Sequence, residues 1–206
     1  MVGVRNLQAA SKTTNIPFTV EWLPFFLNPG STPEEGEDLK EHIVKKYGPE
    51  AAARFNGPNN PLDVAGSKVG IKFDSSRKVI PTLRCHSLME YTKEKHGNDK
   101  ANELMDVLFN RYFEKAQMVH QVSILKEIYT QLELPWSEEV DAALAANSPQ
   151  SKSVVAGDRS VKTQLRVSGV PFFILERNDG SRPIAFSGAQ PPEVIGDALE
   201  EATATA

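Results

Sequence analysis

The chain is 206 residues long, enough for one well-cored domain or one domain carrying a large insertion. Hydrophobic residues make up 40% and charged residues 24%, ordinary globular usage that excludes a disordered or fibrous chain. The net charge of −4 excludes a broadly basic nucleic-acid binder, and the single cysteine, Cys85, excludes an internal disulfide or a Cys-rich zinc site within these residues.

Residues 4–11 read as a short helix, with Leu7 and Ala10 on one apolar face. Phe18-Thr19-Val20-Glu21-Trp22 has the β-branched and aromatic content of a strand, which Pro24 ends. Asn28-Pro29-Gly30-Ser31 is a loop signal. Thr32-Pro33-Glu34-Glu35 reads as a helix start, with Thr32 as cap, Pro33 at the first helical position and Glu35 three residues after the cap. From there to Val167 no strand pattern occurs. Leu39, Ile43 and Tyr47 fit a helix ending at Gly48, and Pro49 opens another. Residues 56–76 are rich in Gly, Pro and Asn and hold a short helix near 62–69, then a turn at Gly70-Ile71-Lys72-Phe73. A helix over 81–96 stops at Gly97. The clearest period follows over 99–115, where Ala101, Leu104, Met105, Leu108, Phe109, Tyr112 and Phe113 form one stripe. Ile124, Leu125, Ile128, Tyr129 and Leu132 repeat the pattern. Ser137 caps a shorter helix bearing Val140 and Leu144. A last helix of this block spans 150–167, with Gly169 placed as its C′ residue. Residues 170–175 are a buried-strand run, Asn178-Asp179-Gly180 is a hairpin turn signal, and 183–186 form a second strand. A final helix starts near Pro191-Pro192-Glu193, and 203–206 read as a frayed tail.

The order is helix, strand, a long run of helices, hairpin, helix. This is an α/β core interrupted by a helical insertion. Four segments carry a resemblance: residues 20–29, His86-Ser87-Leu88-Met89-Glu90-Tyr91, Ser168-Gly169-Val170-Pro171-Phe172-Phe173, and Ser187-Gly188-Ala189-Gln190-Pro191-Pro192-Glu193. In this order, around this helical block, they resemble the cytosolic, FrnE-type branch of the DsbA-like thioredoxin-family oxidoreductases. The resemblance implies a thioredoxin-like fold formed by residues 1–31 and 168–206, with a large all-helical insertion domain over 32–167.

In that family a C-P-x-C type pair at the N-terminus of the first helix faces a cis-proline loop. Val170-Pro171 matches the cis-proline position, so the resemblance assigns substrate binding to Gly169, Val170 and Pro171, with His86 bordering the groove; Trp22, which flanks a strand end of the thioredoxin-like part, is a further substrate-binding candidate because strand ends border ligand clefts. Gly3-Val4-Arg5-Asn6-Leu7 matches residues just after the second cysteine. No catalytic residue is therefore expected within this chain, and the first β-strand of the fold is missing. The expectation is an N-terminally truncated member of the family, inactive as written. The partner implied is a thiol or disulfide substrate, either a peptide or a small thiol. No cofactor is expected. A neighbouring branch, the kappa-class glutathione-dependent transferases and isomerases, places a serine where the first cysteine stands and would bring glutathione. A binding module without chemistry is the third reading. Its open sheet edge would pair with another chain, a homodimer included.

Other chemistries find little support. Cys85 and His86 are adjacent on a helix and project about 100° apart, which does not make a nucleophilic pair. His42, His96 and His120 lack the close spacing of metal ligands, and Gly66-x-x-x-Gly70 lacks the Lys-Ser/Thr of a phosphate loop. No apolar run approaches the ~18 residues of a membrane span, and 1–7 has no apolar core of a signal peptide. A cytoplasmic location with no membrane partner is expected.

Overall fold

A computed structural model describes residues 1–28, 32–57, 59–177 and 179–204. The chain divides into two compact units, Met1–Thr19 with Leu165–Ala206, and Val20–Gln164. Residues 20–28 thus group with the helices rather than with the chain ends.

In the first unit, helix α1 spans Val2–Thr14 and buries Gly3, Asn6, Leu7 and Ala10. Those positions step i, i+3, i+4 and i+7 along one face. Asn15, left-handed at φ 54°, ends α1 with its N–H on Ser11 O. The C-terminal helix, which the rest of the chain makes the ninth, spans Pro192–Thr203. It buries Ile195, Gly196 and Leu199 and packs against α1. The hairpin pairs Phe172–Leu175 with Ile184–Ser187 in antiparallel register, Phe173 opposite Phe186 with rings stacked 5.1 Å apart. The sequence pattern predicts a fully buried strand at 172–175. Instead all four residues are half-buried, because their only strand partner among the described residues is 184–187. The expected turn holds, with Gly180 at φ 74° and Ser181 N–H on Asp179 Oδ1; Asn178 lies outside the described residues.

The second unit is helical apart from one short pairing, β1 (Glu37–Asp38) with β2 (Lys78–Val79). Its helices are α2 (Leu39–Tyr47), α3 (Pro49–Asn56), α4 (Pro61–Ser67), α5 (Leu83–Phe109), α6 (Val122–Gln131), α7 (Glu138–Ala143) and α8 (Pro149–Thr163). The strands Phe172–Leu175 and Ile184–Ser187 then become β3 and β4, and Pro192–Thr203 becomes α9. Helix α5 is broken where the sequence places a stop. Gly97 sits at φ 85°, ψ 173°, outside helical space. Its second half ends at Phe109 and widens into a π-helical turn over Asn110–Glu114, so the stripe expected to 115 leaves regular α-helix early. Leu88 and Leu104 of α5, Leu125, Ile128 and Tyr129 of α6 and Val140 of α7 are the innermost side chains of this unit. Two polar contacts cross that core: Ser87 Oγ to Ser151 Oγ at 2.9 Å, and Thr92 Oγ1 to Tyr129 Oη at 2.6 Å.

Three sequence expectations need correction. No strand forms at 18–22. The segment from Asn15 to Phe26 has no regular secondary structure, and helix side chains bind the backbone of Val20 and Phe26 instead. Asn98 and Asn102 donate to Val20 O at 2.5 and 3.3 Å. Asp158 Oδ1 accepts from Phe26 N–H at 2.6 Å, and Lys162 Nζ donates to Phe26 O at 2.8 Å. Strand-like residues thus find partners other than a strand. Second, the helix expected from Thr32 starts at Leu39. Gly36, at φ 73°, turns the chain onto Pro33 O, and the Asp38 carboxylate caps the helix through the Lys40 and Glu41 N–H groups. Third, α8 ends at Thr163, with Arg166 taking the left-handed residue at φ 55°. Gly169 is therefore not its C′ residue.

Asp158 is the anchor of the 20–28 segment, and it pairs with Lys162 at 2.7 Å. Asp158→Ala leaves an amide and an ammonium without their partner and is expected to lower unfolding stability by about 2–4 kcal/mol in a urea titration. Asp158→Asn keeps an acceptor and loses less. Equal losses for the two variants would contradict the assigned hydrogen bond.

Candidate functional site

The first unit builds a small face around Val170-Pro171. The Val170–Pro171 bond is cis, as the resemblance implies. Phe172, the next residue, enters β3, which fixes Pro171 at the edge of the hairpin. Gly188, at φ 82°, donates its N–H to Pro171 O at 2.8 Å. The first turn of α1 closes on the other side. A Cβ on Gly3 would meet the Phe173 ring at 3.0 Å and Pro171 Cγ at 3.2 Å, so the helix reaches this depth because position 3 carries no side chain. Val170 is 52% exposed. The N–H and C=O of Gly169 and Val170 have no hydrogen-bond partner among the described residues. The face therefore combines a helix N-terminus, an exposed aliphatic side chain and unpaired backbone at a bend.

His86 and Trp22 belong to the helical unit, and each is described there. His86, on α5, lies edge-on to Phe26 with ring centroids 5.1 Å apart. Burial holds its imidazole at about 4, well below the ordinary histidine value, and the nearby Asp158 carboxylate opposes that shift without cancelling it. His86 is thus a neutral ring within an apolar and ionic cluster of Phe25, Phe26, Asp158 and Lys162, where Lys162 Nζ stands 4.7 Å from the Phe25 ring centre. Trp22 donates its indole N–H to Asn102 Oδ1 at 2.7 Å and meets Phe109 edge-to-face at 5.7 Å. Those contacts engage both ends of the side chain in packing the helical core.

Cys85 stands next to His86 but packs the other way, toward the helical core, with its Sγ 3.6 Å from Val119 O. Burial pushes its thiol up to about 12. A thiol held so far above neutrality carries almost no thiolate, the form that attacks disulfides and binds metals. No three His, Cys, Asp or Glu side chains come together as metal ligands among the described residues. No described helix is long and apolar enough to cross a membrane.

Two residues of the Val170-Pro171 face escape sequence reasoning. Asn6 is a polar residue inside the apolar stripe of α1, and Gln190 supplies a backbone acceptor from a turn. An amide inside an apolar stripe is a detectable signal, but its partner 184 residues away is not.

A family model described as the DSBA-like thioredoxin domain matches residues 1–200. No curated protein matches the chain. Among solved structures, the chain is similar to a probable DsbA oxidoreductase from Streptomyces coelicolor at 27% identity and a TM-score of 0.80. The match covers 98% of this chain and 83% of that one.

The His86 environment sets a pH window. Between its folded value of about 4 and the ordinary 6.5, the unfolded chain takes up a proton that the folded chain does not. Stability from this site is full above 6.5 and falls as pH drops toward 4, by up to about 1.4 kcal/mol per unit. Urea titrations from pH 7 to 4 are expected to show a shallower loss in His86→Gln; an unchanged slope would show that another group drives it. For Cys85, iodoacetamide at pH 8 is expected to label the native chain far more slowly than the urea-unfolded chain, and equal rates would contradict its burial.

Proposed function

The chain belongs to the DSBA-like thioredoxin-domain family, and from that membership we propose that it carries the substrate-binding face of a thiol–disulfide oxidoreductase. The carrying observation is the contact of Gly3, in the first turn of α1, with Pro171 and Phe173 at the start of β3. It brings the helix N-terminus, where this family holds its reactive thiols, against the loop that presents Val170. The Streptomyces structure, titled a probable DsbA oxidoreductase, supports the same reading.

On this reading Gly169, Val170 and Pro171 bind the substrate. An extended peptide pairs with the unpaired N–H and C=O of Val170 and rests a side chain on the exposed Val170 isopropyl group. The α1 N-terminus contributes a positive end that favours a thiolate. Thiol–disulfide exchange needs a thiolate close to that end. These 206 residues hold Cys85 as their one cysteine, and it is partly buried on α5 against the helical core with a raised thiol value. The chain as given therefore binds substrate without turning it over. His86 and Trp22 are assigned to the helical framework through the contacts they make there.

The test uses the 206-residue chain with two substrates. With insulin and dithiothreitol, the rate of B-chain precipitation is expected to equal that of dithiothreitol alone. With carboxamidomethylated insulin B chain, an unfolded peptide without free thiols, amide resonances of Gly169, Val170 and Phe172 are expected to shift on titration. Insulin reduction above background that vanishes in Cys85→Ser would overturn the absence of chemistry. Shifts confined to the helical unit, or no shifts at all, would overturn the placement of substrate at Val170.

A further inference from the structure

The Val170-Pro171 face is braced by a side chain that the substrate reading leaves without a role. Asn6 sits on α1 three residues after Gly3, on the same buried face. It is 7% exposed, and its Nδ2 donates to Gln190 O at 2.8 Å. Gln190 folds back on its own turn: its Nε2 donates to Ser187 O at 2.8 Å and its N–H to Gly188 O at 2.9 Å. Gly188 then donates its N–H to Pro171 O at 2.8 Å. Four hydrogen bonds thus run from the body of α1, through the turn after β4, to the carbonyl of the residue next to Val170.

A carboxamide is a poor choice for that stripe unless its donor is used. It is a weaker helix former than leucine, and a buried amide without a partner costs stability where an apolar side chain would not. The donor of Asn6 goes to one atom, the backbone oxygen of Gln190, and that oxygen belongs to the turn that carries Gly188. Gly3 and Asn6 therefore press α1 on the hairpin at two points, Gly3 by contact and Asn6 by a directed bond. The contact sets how deep α1 lies, and the bond sets its rotation and the height of the turn.

We propose that Asn6 is a positioning residue for the Val170-Pro171 substrate site, acting through Gln190 and Gly188 to hold Pro171 O and so the direction of the free Val170 backbone. The proposal rests on the reading of Val170 as the substrate-pairing residue. It concerns no chemistry at Asn6 itself, which touches no substrate.

The experiment compares the wild-type chain with Asn6→Asp, Asn6→Leu and Gln190→Ala. It follows amide exchange residue by residue, together with the Kd for carboxamidomethylated insulin B chain. At pH 7 the carboxylate of Asn6→Asp cannot donate. Gly188 exchange is expected to be about tenfold faster than wild type at the same pH, and the peptide to bind about tenfold more weakly, with Ile195 and Leu199 of α9 keeping their protection. Lowering the pH until that carboxyl protonates restores an O–H donor, and both readouts return toward wild type. Asn6→Leu, without a titratable donor, does not recover. Gln190→Ala removes the bond to Ser187 in an unaltered α1 and is also expected to speed Gly188 exchange. Unchanged Gly188 exchange in Asn6→Asp and Gln190→Ala would overturn the relay and leave Asn6 a packing residue. A wild-type chain that shows no peptide shift at Val170 would overturn the substrate reading, while Gly188 exchange would still decide the relay.

Discussion

Backbone amides and carbonyls taken from water need partners, and this chain has little β-sheet to supply them. Two stretches of irregular backbone meet that demand with side chains from helices. The segment leading to Phe26 is bound by Asn98 and Asn102 of α5 and by Asp158 and Lys162 of α8. The turn after β4 is bound by Asn6 of α1 and by Gln190 itself. In both places a carboxamide, carboxylate or ammonium does what a neighbouring strand does in a wider sheet. The apolar core of the helical unit and the α1–α9 packing supply the bulk of the burial, and these polar contacts decide where the connecting backbone runs.

The helices were legible because their periodicity is strong and their punctuation local. Gly48 and Pro49 separate α2 from α3, Gly97 breaks α5, and Pro191-Pro192 opens α9. Misreadings came where a local signal competed with a distant partner. Phe18 to Trp22 has strand composition, but Asn98, some eighty residues on, supplies the bond to Val20. Thr32 with Pro33 and Glu35 fits a helix start, yet Gly36 turns the chain and Asp38 offers a carboxylate to two N–H groups. The hairpin followed from two strand runs around a turn signal, whereas the half-exposure of β3 depends on how many strands surround it. At the candidate site, Val170-Pro171 was found by resemblance and not by any physical pattern. Asn6 escaped the sequence reading although it interrupts the apolar stripe of α1, and nothing local names Gln190 as its acceptor.

Cys85 and His86 show how two adjacent reactive residues come to different ends without either being free to react. The helix turns Cys85 toward the core beside Val119 O and His86 toward Phe26. Burial then favours the neutral form of each, raising the thiol and lowering the imidazole. The face around Val170 is the reverse: exposed, with unpaired backbone and little charge of its own. Cys85 and His86 are held in packing of the helical unit, and the candidate site is made largely of main chain.

The bonds from Asp158 and Lys162 to Phe26 join the two ends of the helical unit, since Phe26 follows its first residues and Lys162 precedes its last. A segment whose entrance and exit are tied side by side closes its own loop. Threading it into a host chain then adds little entropy beyond what the host turn already loses. The unit has the topology of a cassette: in modular terms, the polypeptide leaves and returns through one doorway. Insertions or deletions among its helices can change its size without separating the two chain ends that flank it.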